Sequence, residues 1–163
     1  MTIAAKALRL TPTEAVLLVA AVIALVAAQL MVWFTPFRFW SRWVRQTQGA
    51  SKDGRSRSGS PKCDTAAIAA AVRRAGRVVP RSRCLEQAIA GAWLYRAFGY
   101  RPCVMLGVRV EDAETMVAHA WVIIDGVTCI GALPDLDGFA PLVAHHPYHG
   151  SGSRRNAHKR RGA

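Results

Sequence analysis

Two residues of this chain, Cys84 and His119, have the types and settings of a nucleophile and its base. Cys84 opens the segment CLEQAIAGAWLYRAF directly after Pro80-Arg81-Ser82-Arg83, where a helix is expected to start. Unpaired amides of a first helical turn, with Arg81 and Arg83 beside them, favour a thiolate, which attacks carbonyl carbon far better than a thiol. His119 lies in VAHAWVII, an expected strand, 35 residues further on. An imidazole in reach of that sulfur takes the thiol proton, stores it and returns it to a leaving amine. Taken singly, each residue has a plainer reading: a cysteine opening a core helix, and a histidine satisfied inside a core. Their order along the chain, helix-opening cysteine and then hairpin-strand histidine, is what points to covalent acyl chemistry.

A third group should orient the ring nitrogen that does not face sulfur. With Asp125-Gly126 as a two-residue turn, His119 is expected to pair near Ala132, where neither Gly131 nor Ala132 offers a carboxylate. Asp125 itself lies about 20 Å along the strand, at about 3.3 Å per residue, and is a turn residue. Asp135 is preferred as the third catalytic residue, Asp137 is its neighbour, and a backbone carbonyl is the other candidate. The Cys84 amide is the expected oxyanion donor, ahead of Gln87, because helix starts present free N–H groups. Trp121 faces the same side of the sheet as His119. Cys103 and Cys129 fall on expected strands and read as core residues. Cys63, Cys84, Cys103 and Cys129 form no C-x-x-C pair, so neither a zinc ribbon nor a redox motif is expected, and no metal or cofactor is assigned.

These residues need elements to hold them. Asp64 or Thr65 is placed to cap a helix through TAAIAAAVRRAG, ending near Gly76. The cysteine helix shows Leu85, Ala88, Ile89, Ala92 and Tyr95 at helical spacing, with Gly99 to stop it. CVMLGVRV, VAHAWVII and VTCI read as strands, EDAET as a loop, and FAPLV as a short closing strand. Helix, helix, then antiparallel sheet is an α+β fold.

The chain has 163 residues, 52% of them hydrophobic, with 22 Lys and Arg against 10 acids for a formal charge of +12. That size admits one modest domain, placed at residues 64–143, with appendages. Ala15 to Phe34 is apolar except for Gln29, about 30 Å as a helix and long enough for a bilayer core. Trp33, Phe34, Phe37, Phe39, Trp40 and Trp43, interleaved with Arg38, Arg42 and Arg45, fit an interfacial belt on the cytoplasmic side. Residues 1–48 are therefore expected to form a membrane-associated helix and its basic flank. The alternative is an apolar helix packed on the domain or on a partner. Residues 49–63 read as a flexible linker and 144–163 as a disordered basic tail. The basic excess suits acidic partners, though nucleic acid is not the expected one.

The stretch VVPRSRCLEQAIAGAWLYRAFGYRPCVMLGV, followed by AHAWVIIDG and FAPL, resembles the protease part of the lasso-peptide biosynthesis B proteins, in the transglutaminase-like superfamily. The matching features fall on Arg81, Cys84, Leu85, Ala88, Leu94 or Tyr95, Gly99, Gly107-Val108 and Ala118 to Val122. The resemblance implies a papain/transglutaminase-like core in which Cys84 and His119 remove the leader from a ribosomally made precursor peptide. It further implies a separate leader-recognition protein and a cyclase as partners. The widely spaced cysteines read as reduced thiols, so the catalytic domain is expected in the cytoplasm, with residues 15–34 as its anchor to the inner membrane. Where such proteins often carry an acid, twelve residues after the histidine, this chain has Gly131. The site is then either a triad completed by Asp135 or Asp137, or a dyad. No G-x-x-x-x-G-K-[ST] loop for nucleotide is present. Acyl transfer to an amine, and noncatalytic binding of an acidic peptide or RNA by a membrane-tethered module, are the competing readings.

Overall fold

Asp64 and Gly99 do what their residue types suggest. The Asp64 carboxylate accepts the Ala66 amide at 3.1 Å and starts a helix over Thr65–Val78, two residues longer than expected. Gly99, at φ +93°, lets the Cys84–Ala97 helix close: its N–H reaches the Arg96 carbonyl at 3.0 Å, and Tyr100 N–H reaches Tyr95 at 2.9 Å. The Tyr95 and Tyr100 rings then pack edge to face, 5.7 Å between centroids.

The computed structural model describes residues 11–50, 64–112 and 115–142. Among the described residues four helices precede the sheet: α1 (Pro12–Phe34), α2 (Phe37–Ala50), α3 (Thr65–Val78) and α4 (Cys84–Ala97). Strands β1 (Cys103–Val110), β2 (Met116–Ile124) and β3 (Val127–Ile130) follow, then a 3-10 turn at Leu136–Gly138 and the two-residue β4 (Ala140–Pro141). All pairings are antiparallel, in the order β3-β2-β1-β4. Helices packed on a small antiparallel sheet make the α+β fold anticipated from the sequence.

The β2–β3 turn has both Asp125 (φ 48°) and Gly126 (φ 82°) in the left-handed region, as a tight hairpin requires. A bulge between Val122 and Ile123 shifts the register, so that Val122 faces Ile130 while Ile123 faces Thr128. The core lies on one side of the sheet, where Val104, Leu106, Ala120, Val122 and Ile124 meet Ile68, Val72, Ile89 and Tyr95 from the helices. Tyr95 also donates its hydroxyl to the Thr65 carbonyl at 2.9 Å, tying α4 to the start of α3.

Of the two readings of the N-terminal region, a membrane-associated helix and an apolar helix packed on the domain, the described residues show the packing along one face of α1; residues 1–10 lie outside the described residues. Helix α1 is capped by Thr11 and Glu14 in a reciprocal box, and it is the described helix long and apolar enough to cross a membrane. Yet Leu17, Ala21, Leu25 and Ala28 are buried in the same core as α3 and α4. Uniform apolarity hid this, because a helix apolar on every side shows no preferred face in sequence. The aromatic and arginine segment after it is helix α2. Its Ser41, Val44 and Thr47 face inward, and the Thr47 hydroxyl accepts the Val104 amide at 3.1 Å along the edge of β1 that β4 leaves open. Most of the expected linker, residues 51–63, and the expected tail lie outside the described residues.

Candidate active site

Cys84 is the first residue of α4, as expected, and its delivery is controlled from two sides. Before it the chain turns through Arg81, a non-glycine residue at φ 59°. Gln29, the polar residue within the apolar run of α1, donates to the Pro80 carbonyl at 3.1 Å. Ser82 Oγ donates to the Gly76 carbonyl of α3 at 3.0 Å. Within the first turn the Glu86 carboxylate accepts the Arg83 amide at 3.0 Å, and the first helical bond runs from Gln87 N–H to Arg83 at 3.1 Å. The amides of Cys84, Leu85 and Glu86 therefore have no acceptor inside the helix. Cys84 itself is a half-buried free thiol packed against the helix-side core. Gln87, the alternative oxyanion donor, has its amide against Gly76, where an added Cβ would lie 2.8 Å from its Nε2. That contact assigns Gln87 to packing between α3 and α4.

His119 sits on β2 opposite Gly107 of β1. Its Nε2 lies 2.8 Å from the Gly131 carbonyl oxygen. A carbonyl only accepts, so Nε2 carries the proton, and in the neutral ring Nδ1 is left as the basic nitrogen. The ring lies parallel to Trp121 (centroids 6.0 Å, 15° between planes) and tilted against Phe139 (5.5 Å). Gly107 makes room for this cluster: a Cβ there would come within 2.8 Å of Trp121 Cη2 and 3.0 Å of Phe139 Cβ. Trp121 and Phe139 are buried, so water reaches little of the imidazole's apolar surroundings.

Asp135 does not take the orienting role given to it from the sequence. Its carboxylate pairs with Arg109 on β1, whose guanidinium also bonds Glu111 at 2.6 Å and lies 4.8 Å over the Phe139 ring. The hydrogen bond from Arg109 holds the Asp135 carboxyl below its ordinary range, with a backbone bond next in weight and the His119 charge a minor contributor. The ring nitrogen that Asp135 was expected to bind is already satisfied by Gly131. Asp137 lies in the 3-10 turn. The carbonyl wins because Gly131 follows β3 directly, whereas the acids come later in a loop that Arg109 captures. Arg109 and Phe139 were not anticipated, although Arg109 shares a strand face with Gly107 at a spacing of two.

The structure thus gathers His119, Gly131, Trp121, Phe139, Arg109 and Asp135. It does not join Cys84 to them: among the described residues no hydrogen bond links its sulfur to the imidazole. His119 and Trp121 alternate along β2 with Ala120 and Val122, which face the core against which Cys84 packs. Cys103 and Cys129 sit on β1 and β3, and burial pushes both thiols up, away from thiolate. Among the described residues no group of His, Cys, Asp and Glu is arranged to hold a metal.

Helices packed on a four-stranded antiparallel sheet, with a cysteine opening the last helix and a histidine on a central strand, are consistent with a transglutaminase-like core. The chain belongs to the transglutaminase-like superfamily, whose family model matches residues 28–144. That match takes in the end of α1, all of α2 and the rest of the described fold. No curated protein and no solved structure matches the chain.

Proposed function

We propose that this protein is a cysteine peptidase that removes the leader from a ribosomally synthesised lasso-peptide precursor, with Cys84 as nucleophile and His119 as base. The hydrogen bond from His119 Nε2 to the Gly131 carbonyl carries the reading, because it fixes the tautomer that leaves Nδ1 free to take a thiol proton. Membership of a superfamily that includes cysteine peptidases and acyltransferases supports it. The cysteine and A-H-A-W blocks supply the narrower resemblance.

In this mechanism the Cys84 sulfur, which packs on the core side of the sheet and is not bonded to the imidazole in the described residues, is first brought to the His119 face. Nδ1 then removes its proton as sulfur attacks the scissile carbonyl carbon. The oxyanion is met by the Cys84 amide at the start of α4. The C–N bond breaks, the imidazolium returns its proton to the leaving amine, and a thioester remains. Water, deprotonated by the same nitrogen, then releases the acid and restores the thiol. The site works as a dyad oriented by a carbonyl, and Asp135 acts from a distance through Arg109. A leader-recognition protein and a cyclase are the partners, and the enzyme works on the cytoplasmic side of the inner membrane.

Incubating the full chain with a lasso precursor and a leader-recognition protein, then weighing the products, tests this. Free leader plus shortened core is expected, and its loss in Cys84→Ala and in His119→Ala. Amine-crosslinked precursor would identify an acyltransferase instead, and unaltered cleavage by Cys84→Ala would overturn the reading.

A further inference from the structure

Helix α1 is apolar on two opposite sides. Leu17, Ala21, Leu25 and Ala28 are buried in the core, while Val16, Val19, Ile23, Val26, Leu30 and Trp33 are exposed. At about 100° per residue the two sets are centred about 180° apart. The outer stripe carries no polar residue between Val16 and Phe34. Cations flank it at both ends of the sequence, Lys6 and Arg9 before, and Arg38, Arg42 and Arg45 after. The last three are exposed on α2. No acid occurs between Glu14 and Asp53. A contiguous apolar stripe of this length is more than a monomeric soluble protein ordinarily leaves to water.

We propose that this outer face of α1 docks flat on an anionic lipid bilayer, the helix lying in the plane of the headgroups instead of crossing them. The inward face cannot leave the core without exposing four buried side chains. Gln29 is bonded to Pro80, and Glu14 is paired with Arg74 at 3.6 Å. Were α1 to span the hydrocarbon while still packed, α3 and α4 would be drawn in with it, bringing Arg73, Arg74, Arg77, Glu86 and Arg96. Lying flat, the same helix buries its outer side chains at the acyl boundary and leaves the arginines of α2 to headgroup phosphates. A second copy of the chain fits less well. It would bring another cationic flank to the contact, and the stripe offers no polar group to fix a register. The basic segment 143–163 is too poor in apolar residues to cover it.

The test is co-sedimentation of the full chain with vesicles of phosphatidylcholine, with and without phosphatidylglycerol, at low and high salt. Binding is expected to the anionic vesicles and to weaken with salt. Val16→Lys, Ile23→Lys and Leu30→Lys should each reduce it about tenfold or more, to similar extents, with thermal unfolding and cleavage in solution unchanged. A folded chain that ignores anionic vesicles overturns the proposal, including one shown by light scattering to be a dimer. Loss of binding in Ile23→Lys alone, at the middle of the helix, also overturns it, because that pattern belongs to a spanning helix. Either failure leaves the Cys84 chemistry standing, since cleavage is measured separately.

Discussion

At Gly131 the backbone holds φ +74°, and a Cβ would lie 2.6 Å from the Ala120 carbonyl oxygen and 3.1 Å from Trp121 Cα. Geometry therefore keeps this position glycine, and a carboxylate cannot be restored there without moving β2. Gly131→Ala and Gly131→Asp should both lower stability by about 2 kcal/mol or more, read by thermal unfolding, and Gly131→Asp should fail to raise the proposed peptidase activity. Asp135 is a separate case. Since its folded pKa is depressed, the Arg109 pair is fully present above the ordinary aspartate value and is lost only as pH falls through the lowered one. Asp135→Asn should accordingly reduce cleavage less than tenfold, against loss to background for His119→Ala. Its pH–rate profile should keep the wild-type shape above about pH 4. The places of Cys84 at a helix start and of His119 and Trp121 on one face of a strand were legible in the sequence, because caps and strand alternation are local; whether sulfur and imidazole meet was not. The Gly131 carbonyl was not, because a backbone acceptor has no residue signature; a bulge and a left-handed glycine place it. Nor can one-dimensional spacing tell whether Asp135 turns to His119 or to Arg109.

The elements that hold these residues rest on a few polar contacts at their ends and edges. Thr47 is buried on α2, accepts the Val104 amide and donates to the Val44 carbonyl at 2.6 Å. Thr47→Val keeps the shape and removes that acceptor, so it should cost about 1–3 kcal/mol in denaturant unfolding. Gln29 tests positioning instead of stability. Its bond to Pro80 restrains the turn that leads into Cys84. Gln29→Leu should lower kcat severalfold with little change in KM or in unfolding temperature, and Gln29→Glu, which keeps the length but loses the donor, should do the same. Equal activity in both variants would show that Ser82 and Arg81 set the turn without help. Caps, turns and strands were readable because each depends on neighbours in the chain: Asp64, Gly99 and Asp125-Gly126 all act within a few residues. Helix α2 was missed because its arginines and aromatics look like a membrane belt. Its inward set of Ser41, Val44 and Thr47 is only mildly apolar.

For the whole molecule, the decisive question is whether α1 is an accessory or part of the fold. A detachable anchor would leave residues 35–163 folded and melting as the full chain does. The structure argues the contrary. Leu25, Ala21 and Ala28 are fully buried and Leu17 nearly so, all against α3 and α4, the helix that begins with Cys84. Removing α1 would uncover the apolar faces of α3 and α4 on which it packs, and the four-stranded sheet, packed on their other side, cannot cover them. A chain beginning at Thr35 should therefore be aggregated, or give no cooperative melt by circular dichroism. Leu25→Ala in the full chain should cost about 2–5 kcal/mol, as a cavity at a fully buried site does. Ile23→Ala, two residues away on the outer face, should change stability in water by no more than about 0.5 kcal/mol. That contrast separates the two faces of one helix. The face that serves the fold is measured in solution, and the face proposed to meet lipid only when a bilayer is supplied.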